Sequence, residues 1–342
     1  MIPGTEIKDR IRKIRDLMGV DVMIISKPKN LMYISGITSG HSLLTQDSCT
    51  VWTNEIEYET IKYPGIIDAE LYKKNAMKDC LDKLKPGKIG IENVEINYYN
   101  KIKKEIDCEI TVSDAVERAR MVKSDYEIAL VKKSAGIARK GMEKAYEVVS
   151  PGTSELKAAA EIEYEIRKNQ SETTPFEHGM LLSSGKNSAD IHGFPTKKKI
   201  KSGELVVVDL GARYGQYYSD MTRTIPAGKL KLNSKEAMAY EFIKNLELET
   251  IDIIKVGMKA SDVHKFADDK IKEFKYKFHH SIGHGVGLAV QEMPHLNGIS
   301  ETVLCENMVF TIEPGIYVPG KFGVRFEDMV LLSKKRCIIL TA

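Results

Sequence analysis

The sequence predicts an α+β protein in two parts. Residues 1–118 form an N-terminal α/β domain, and residues 119–342 form a C-terminal domain with an internal repeat. Three observations carry this. Up to about residue 118, short apolar runs alternate with charged amphipathic stretches, as in a layered α/β unit. Further on, AYEVVSPGTSELKAAAEIEYEI (145–166) and TIDIIKVGMKASDVHKFADDKI (250–271) share one pattern of helix, glycine turn and helix. Each is then followed by a strand pair bearing two acids, 57 positions from Gly152 to Asp209 and 56 from Gly257 to Glu313. A duplicated helix–helix–strand–strand unit buries its two sheets together, and the acids meet at a pseudo-twofold axis.

The N-terminal elements follow in order. An amphipathic helix over Ile7–Met18 leads into the apolar strand VDVMIIS. DSCTVWT is strand-like and places Trp52, the single tryptophan, in the domain's packing. EIEYETIKY is expected to be helical, and a polar helix over 71–84 ends at PGK before the strand KIGIE. IGIEN lacks the glycine spacing of a dinucleotide loop. Ser124 and Glu127 form an S-x-x-E capping box, which opens a long helix. Small or apolar residues recur along it at Ile128, Val131, Ala135, Ala138, Met142 and Ala145, and SPG at 150–152 ends it. The domain boundary is expected just before this helix, near 119–123.

Composition narrows the function. At roughly 150 residues per domain, 342 residues suggest two domains. A formal net charge of +3 argues for neither nucleic acid nor membrane partners. The five cysteines are scattered and odd in number with no CxxC, which fits a reducing cytoplasm better than a disulfide framework. MIPGTEIKDRIRKIRD has no apolar core of the signal-peptide kind, and no run approaches the ~18 apolar residues of a membrane span.

The acids carry the chemistry. In DLGARYGQYYSD, a turn at Tyr214 and Gly215 sets Asp209 directly opposite Asp220. Asp209 follows the apolar run Leu205–Val208, so its carboxylate is buried and needs a partner. A metal ion meets that need, and so does a buried basic side chain such as Arg223. Glu313 and Glu327 form a second pair, centred on Gly320 in the turn VPGKFG. Between the pairs, HHSIGHGVGL sets His284 between glycines, where backbone can approach closely. Two Asp, two Glu and one His are too acidic for one divalent ion and suit two, about 3.5 Å apart. This donor set allows Mn²⁺, Co²⁺, Fe²⁺ or Zn²⁺. Two such ions acidify a shared water to give a bridging hydroxide near neutral pH. That suits hydrolysis of an amide or a phosphate ester. Only Arg325 stands out as an added cation, so peptide hydrolysis is the better reading.

DLGARYGQYYSDMTRT, SIGHGVGL, FTIEPGIY and VRFED together resemble the pita-bread metallopeptidases. That family includes methionine aminopeptidase, aminopeptidase P, prolidase and the metal-free creatinase. The resemblance spans 119–342, with Asp209, Asp220, His284, Glu313 and Glu327 at the five metal-ligand positions in order. GVDVMIISKPKNLMYISG resembles the creatinase-type N-terminal domain. The resemblance implies catalytic roles for His192, His280 and Glu313, with Glu313 both ligand and proton shuttle. It implies substrate-side roles for His192, Tyr317, Arg325 and Gln291, and it places Thr222 near the ligands. Proline-specific members usually carry a histidine seven residues after the ligand histidine, in HExP. Here VQEMP puts Gln291 there, and His295 lies four further on.

An N-terminal domain argues against methionine aminopeptidase, and intact ligand positions argue against creatinase. The implied activity is cleavage of the Xaa-Pro bond of dipeptides or short peptides, with two divalent ions per subunit, in a cytoplasmic homodimer. Prolidase is favoured by length. The alternatives are aminopeptidase P, acting on longer peptides, and a catalytically weak homologue acting as a binding module. His41, His178, His264 and His279 have no motif context and read as ordinary residues.

Overall fold

Helix α1 (Gly4–Met18) forms because Ile7, Ile11, Ile14 and Met18 recur at helical spacing and are buried, and Gly19 in the left-handed region ends it. The computed structural model describes residues 2–174, 176 and 179–342, without the side chain of Glu105. His178 therefore lies outside the described residues. The chain divides into two units, Met1–Arg120 and Met121–Ala342.

In the first unit the elements after α1 are β1 (Val22–Ile25), α2 (Pro28–Ser35), β2 (His41–Leu44), β3 (Cys49–Thr53), α3 (Glu55–Tyr58) and β4 (Asp68–Leu71). Then come α4 (Ala76–Leu84), β5 (Lys88–Ile91), α5 (Ile96–Glu105), β6 (Glu109–Val112) and α6 (Ala115–Met121). The six strands make one mixed sheet in the order β4-β3-β2-β1-β5-β6. Val22, Ile24, Leu43, Trp52, Ile89 and Ile91 share a core, and the Trp52 indole donates to Glu70 at 3.0 Å. EIEYETIKY is helical only over its first four residues. The amides of Thr60 and Ile61 fold back to the carbonyls of Glu57 and Tyr58 in tight turns, and Pro64 follows. The helix expected over 71–84 starts at Ala76, because Asp68–Leu71 pairs in parallel with β3.

Cys49 is 1 % exposed, and burial pushes its thiol up to about 11. The folded pKa lies above the ordinary value of 9.0, so the group favours the folded state below pH 9 and ceases to as pH rises through 11. At pH 8 the folded protein should leave Cys49 unlabelled by iodoacetamide while exposed Cys305 reacts. Labelling of both should follow only in denaturant. Peptide mapping checks this, and equal rates for both in the folded protein would contradict it.

The second unit contains α7 (Asp125–Val148), α8 (Glu155–Lys168), β7 (Leu181–Ser184), β8 (Leu205–Tyr214) and β9 (Tyr217–Pro226). Then follow α9 (Lys235–Ile253), α10 (Ala260–Glu273), β10 (Gly283–Gly285), β11 (Glu292–Leu296) and β12 (Val309–Ile312). The chain continues through β13 (Gly315–Val318), β14 (Phe322–Arg325), β15 (Asp328–Leu332) and β16 (Cys337–Ile339). Ser124 and Glu127 cap α7 reciprocally, as the motif requires.

The repeat is visible in the hydrogen bonds of its two halves. Gly152 N donates to Ile200 O and Gly257 N to Leu304 O, both at 2.8 Å. Ser154 then bridges Lys199, and Lys259 bridges Val303. In each half a helix pair covers a sheet. The cores are separate clusters, one around Ile162, Ile166 and Val208 and one around Ile243, Val263 and Phe310. The sheets are β7-β8-β9, β11-β10-β12-β15-β16 and the hairpin β13-β14.

The first acid hairpin departs from the expected register. Tyr214 pairs with Tyr217, so the turn residues are Gly215 and Gln216, with φ of 57° and 73°. Two left-handed residues in succession make a two-residue turn that suits the twist of the strands. Asp209 therefore faces Thr222, and Asp220 faces Gly211. The two aspartates lie diagonally on one face rather than directly opposite. The second acid pair keeps its expected centre. Ile312 pairs with Asp328 and Gly315 with Arg325, so Glu313 and Glu327 sit level in the gap between two ladders.

Candidate metal centre

Asp209 leaves β8 and Asp220 leaves β9 from the same face, and Thr222 carries that row onward. Thr222 forms a backbone bridge with Glu327, donating at 3.3 Å and accepting at 3.0 Å. Its hydroxyl donates to Glu327 Oε2 at 2.7 Å. Glu313 N donates to Ile282 O at 2.8 Å, which ties the acid pair to the strand of His284. The glycines beside His284 are required by close packing on both sides. A Cβ on Gly283 would lie 1.9 Å from Thr311 O, and one on Gly285 would lie 2.1 Å from Met293 O.

Asp209, Asp220, His284 and Glu327 are buried, and Glu313 is nearly so. The metal-free acids repel one another. Burial, then Glu327, Asp209 and Glu313, pushes the Asp220 carboxyl well above the usual range. Burial pushes Glu313 up to about 8 and raises Glu327 strongly, with Glu313 and Asp209 adding to the latter. Burial also raises Asp209 against the pull of Arg325.

The donor set fits divalent metal. Asp220, His284 and Glu327 offer ligand atoms all within 4.8 Å of one another. His284 Nδ1 lies 3.2 Å from Gly285 O, a contact that places the proton on Nδ1 and leaves Nε2 as a lone pair. Burial lowers the ring's pKa to about 4, so it stays neutral. Nε2 stands 3.7 Å from Asp220 Oδ2 and 3.6 Å from Glu313 Oε1. These gaps are too long for hydrogen bonds, and His284, Asp220 and Glu313 are the residues that would hold a divalent ion there, with metal–ligand bonds of about 2.0–2.2 Å. Asp209 Oδ1 and Asp220 Oδ1 are buried without a hydrogen-bond partner. Buried carboxylate oxygens left without a partner are what a cation would satisfy.

Arg325, rather than Arg223, is the basic partner of Asp209. Its Nη2 lies 2.5 Å from Asp209 Oδ2, and its Nε donates to the Thr222 hydroxyl at 3.2 Å. Its Nη1 donates to Tyr317 Oη at 2.8 Å and to Ile191 O at 3.2 Å. The proton order continues outward. Tyr317 Oη lies 3.1 Å from His280 Nε2, and His280 Nδ1 lies 2.8 Å from Ser281 O. Burial, then the Arg325 charge, lowers His280 to about 3, and burial raises Tyr317 to about 12. Both are neutral, and Arg325 fixes Tyr317 directly and His280 through it.

His192 and Gln291 are exposed. His192 follows β7, close enough for its charge to favour the Asp209 carboxylate. Gln291 precedes β11, whose His295 pairs directly with His284 across the ladder and is also exposed. One feature beside this loop has no local sequence signal. Lys123 and Glu292 form a buried ion pair at 3.0 Å, with side chains 0 % and 8 % exposed. It anchors the start of β11 to the N-terminal end of α7. His41 meets Tyr98 Oη at 3.1 Å, and His264 stacks on Phe278, so both belong to local packing. His279 is exposed.

Paired sheets around a buried cage of four acids and one neutral histidine define a pita-bread metal-dependent hydrolase. The chain belongs to metallopeptidase family M24, whose pattern matches residues 129–334, and the Creatinase/Prolidase N-terminal domain matches residues 9–122. Divalent metal follows from that membership. The Xaa-Pro dipeptidase of Pyrococcus horikoshii is 37% identical over 95% of this chain and 95% of its own length. The structure of the prolidase from Pyrococcus furiosus superposes with a TM-score of 0.87 at 34% identity, covering 97% of this chain and 99% of that one. The Xaa-Pro dipeptidase from Bacillus anthracis gives 0.90 at 30% identity, covering 99% and 98%. Among the described residues, no helix is long and apolar enough to cross a membrane.

Proposed function

We propose that the protein is an Xaa-Pro dipeptidase, with a catalytic domain over 119–342 that holds two divalent ions through Asp209, Asp220, His284, Glu313 and Glu327. One observation carries the reading. The His284 Nε2 lone pair faces two carboxylates at 3.6 and 3.7 Å within a set of buried, mutually repelling acids. Relatives named for Xaa-Pro dipeptides supply the substrate class.

Bound divalent ions supply Lewis acidity, acidifying water and polarising a carbonyl. The chain's own residues do the rest. Glu313 presents Oε1 toward His284 and Oε2 toward His280, 3.8 Å from Nδ1. It thus holds one oxygen for the metal and one for a proton. Peptide hydrolysis adds water across the C–N bond, and the proline nitrogen leaves only once it takes a proton. Glu313 is the group placed to move that proton. Arg325 neutralises Asp209 and holds Tyr317 in place. His192 and Gln291, both exposed, are the polar groups left for the substrate's peptide ends.

The test compares Ala-Pro with Ala-Pro-Ala, using full-length protein loaded with Mn²⁺ or Co²⁺. A dipeptidase cleaves Ala-Pro and spares the tripeptide. Cleavage of Ala-Pro-Ala assigns aminopeptidase P activity instead. Cleavage of neither, nor of longer Xaa-Pro peptides, would leave a binding module and overturn the reading.

A further inference from the structure

Behind the acid cage lies a polar cluster that the proposed chemistry does not use. Strand residues alternate between faces, so Arg223 and Asp328 turn away from their neighbours Thr222 and Glu327. Arg223 Nη2 meets Asp328 Oδ1 at 2.6 Å, with side chains 14 % and 4 % exposed. Its Nη1 donates to two backbone carbonyls, Thr222 O at 3.0 Å and Glu327 O at 2.7 Å. These carbonyls already accept from each other's amides across the bridge that joins the two halves of the repeat. One guanidinium therefore clamps both sides of that bridge.

The clamp is itself braced. The Thr341 hydroxyl donates to Asp328 Oδ1 at 2.7 Å and accepts from Met329 N at 2.9 Å. Glu247 of α9, 3 % exposed, packs its carboxyl against Asp328. Burial and then Asp328 hold that carboxyl well above the usual range, so it sits there as a neutral group. The network joins β9 of the first half to β15 and α9 of the second. On the other side of the same bridge, Thr222 fixes the Glu327 carboxylate.

We propose that Arg223, braced by Asp328, is a positioning residue that sets the Thr222–Glu327 bridge and thereby the placing of the Glu327 carboxylate in the metal centre. This rests on the metal-centre reading. The role needs a planar fork. A lysine keeps the charge but cannot reach two carbonyls and a carboxylate at once. Orienting groups of this kind typically change metal affinity by about 10–100-fold when removed.

The test uses the full chain, stripped with chelator and titrated with Mn²⁺ alone, alongside melting of the metal-free protein. Arg223→Lys should weaken Mn²⁺ binding by about 10–100-fold and alter the visible spectrum of the Co²⁺-loaded protein. Its metal-free melting temperature should stay near that of wild type. Glu247→Gln, which replaces one neutral group by another, should bind Mn²⁺ as wild type does. Unchanged affinity in Arg223→Lys overturns the proposal. So does a loss of affinity that only tracks a loss of metal-free stability. If Arg223→Lys does not fold, Asp328→Asn removes the brace at constant shape. It should weaken Mn²⁺ binding, and unchanged binding again overturns the proposal. A wild-type chain that binds no Mn²⁺ would instead refute the metal-centre reading.

Discussion

Asp220→Asn should lose at least one divalent ion by elemental analysis, lose hydrolysis by about 10³-fold or more, and yet melt higher than wild type once both are stripped of metal. The three effects share one cause. Asp220 is buried beside three other acids, and burial, Glu327, Asp209 and Glu313 all oppose its charge. In the loaded protein a cation offsets that repulsion. In the stripped protein nothing does, and an uncharged amide of the same shape relieves it. The loss of turnover is at least that of removing one preorganised charge-stabilising group, about 10²–10³-fold, because the ligand also holds the metal. The pH dependence has a fixed sign. The Glu313 pKa rises from 4.5 to about 8 in the folded metal-free chain, so that chain binds the proton more tightly than the unfolded one does. Its contribution to stability is full below about pH 4.5 and is lost as pH rises toward 8. Chelation should therefore lower the melting temperature more at pH 8 than at pH 5. Calorimetry with and without chelator checks both claims, and an unchanged metal content in Asp220→Asn would remove Asp220 from the ligand set.

What the sequence made legible is what depends on near neighbours or on spacing within an element. The Ser124–Glu127 capping box joins residues three apart, and it forms as read. The two acid pairs were visible because a repeat places them at nearly equal distances from a glycine turn. The turn itself was misplaced by one residue. Gln216 takes a left-handed conformation that its side chain does not announce, and that slip moves Asp209 from Asp220 to Thr222. Strand alternation rescued the outcome, since a diagonal neighbour lies on the same face. Pairings across the fold were not legible. Arg325 and Asp209 are 116 residues apart, Lys123 and Glu292 are 169 apart, and no local pattern selects Arg325 over Arg223 as the partner of Asp209. Those pairings are set when the halves of the repeat close on each other, and burial then makes them obligatory.

Arg325→Met is the substitution with the largest expected effect on the metal-free fold. The Arg325 side chain is 4 % exposed and holds four groups at once: Asp209, the Thr222 and Tyr317 hydroxyls, and the Ile191 carbonyl. Removing one member of a buried pair leaves the other charge uncompensated, which costs about 3–5 kcal/mol. Asp209 limits that loss by taking a proton, so the loss should be greater at pH 8 than at pH 5. Urea unfolding in chelator measures it. With metal in excess, kcat/KM should still fall by about 10²–10³-fold, because Tyr317 and through it His280 lose the contact that fixes them. Arg325→Lys should not restore activity, since a single ammonium cannot reproduce the fork. The double variant Asp209→Asn, Arg325→Met tests the charge role in the metal-free fold. It should recover much of the metal-free stability, because no buried carboxylate remains unpaired at that position. Failure to recover it would mean that the hydrogen bonds of Arg325 to Tyr317, Thr222 and Ile191, rather than its charge, hold the site together.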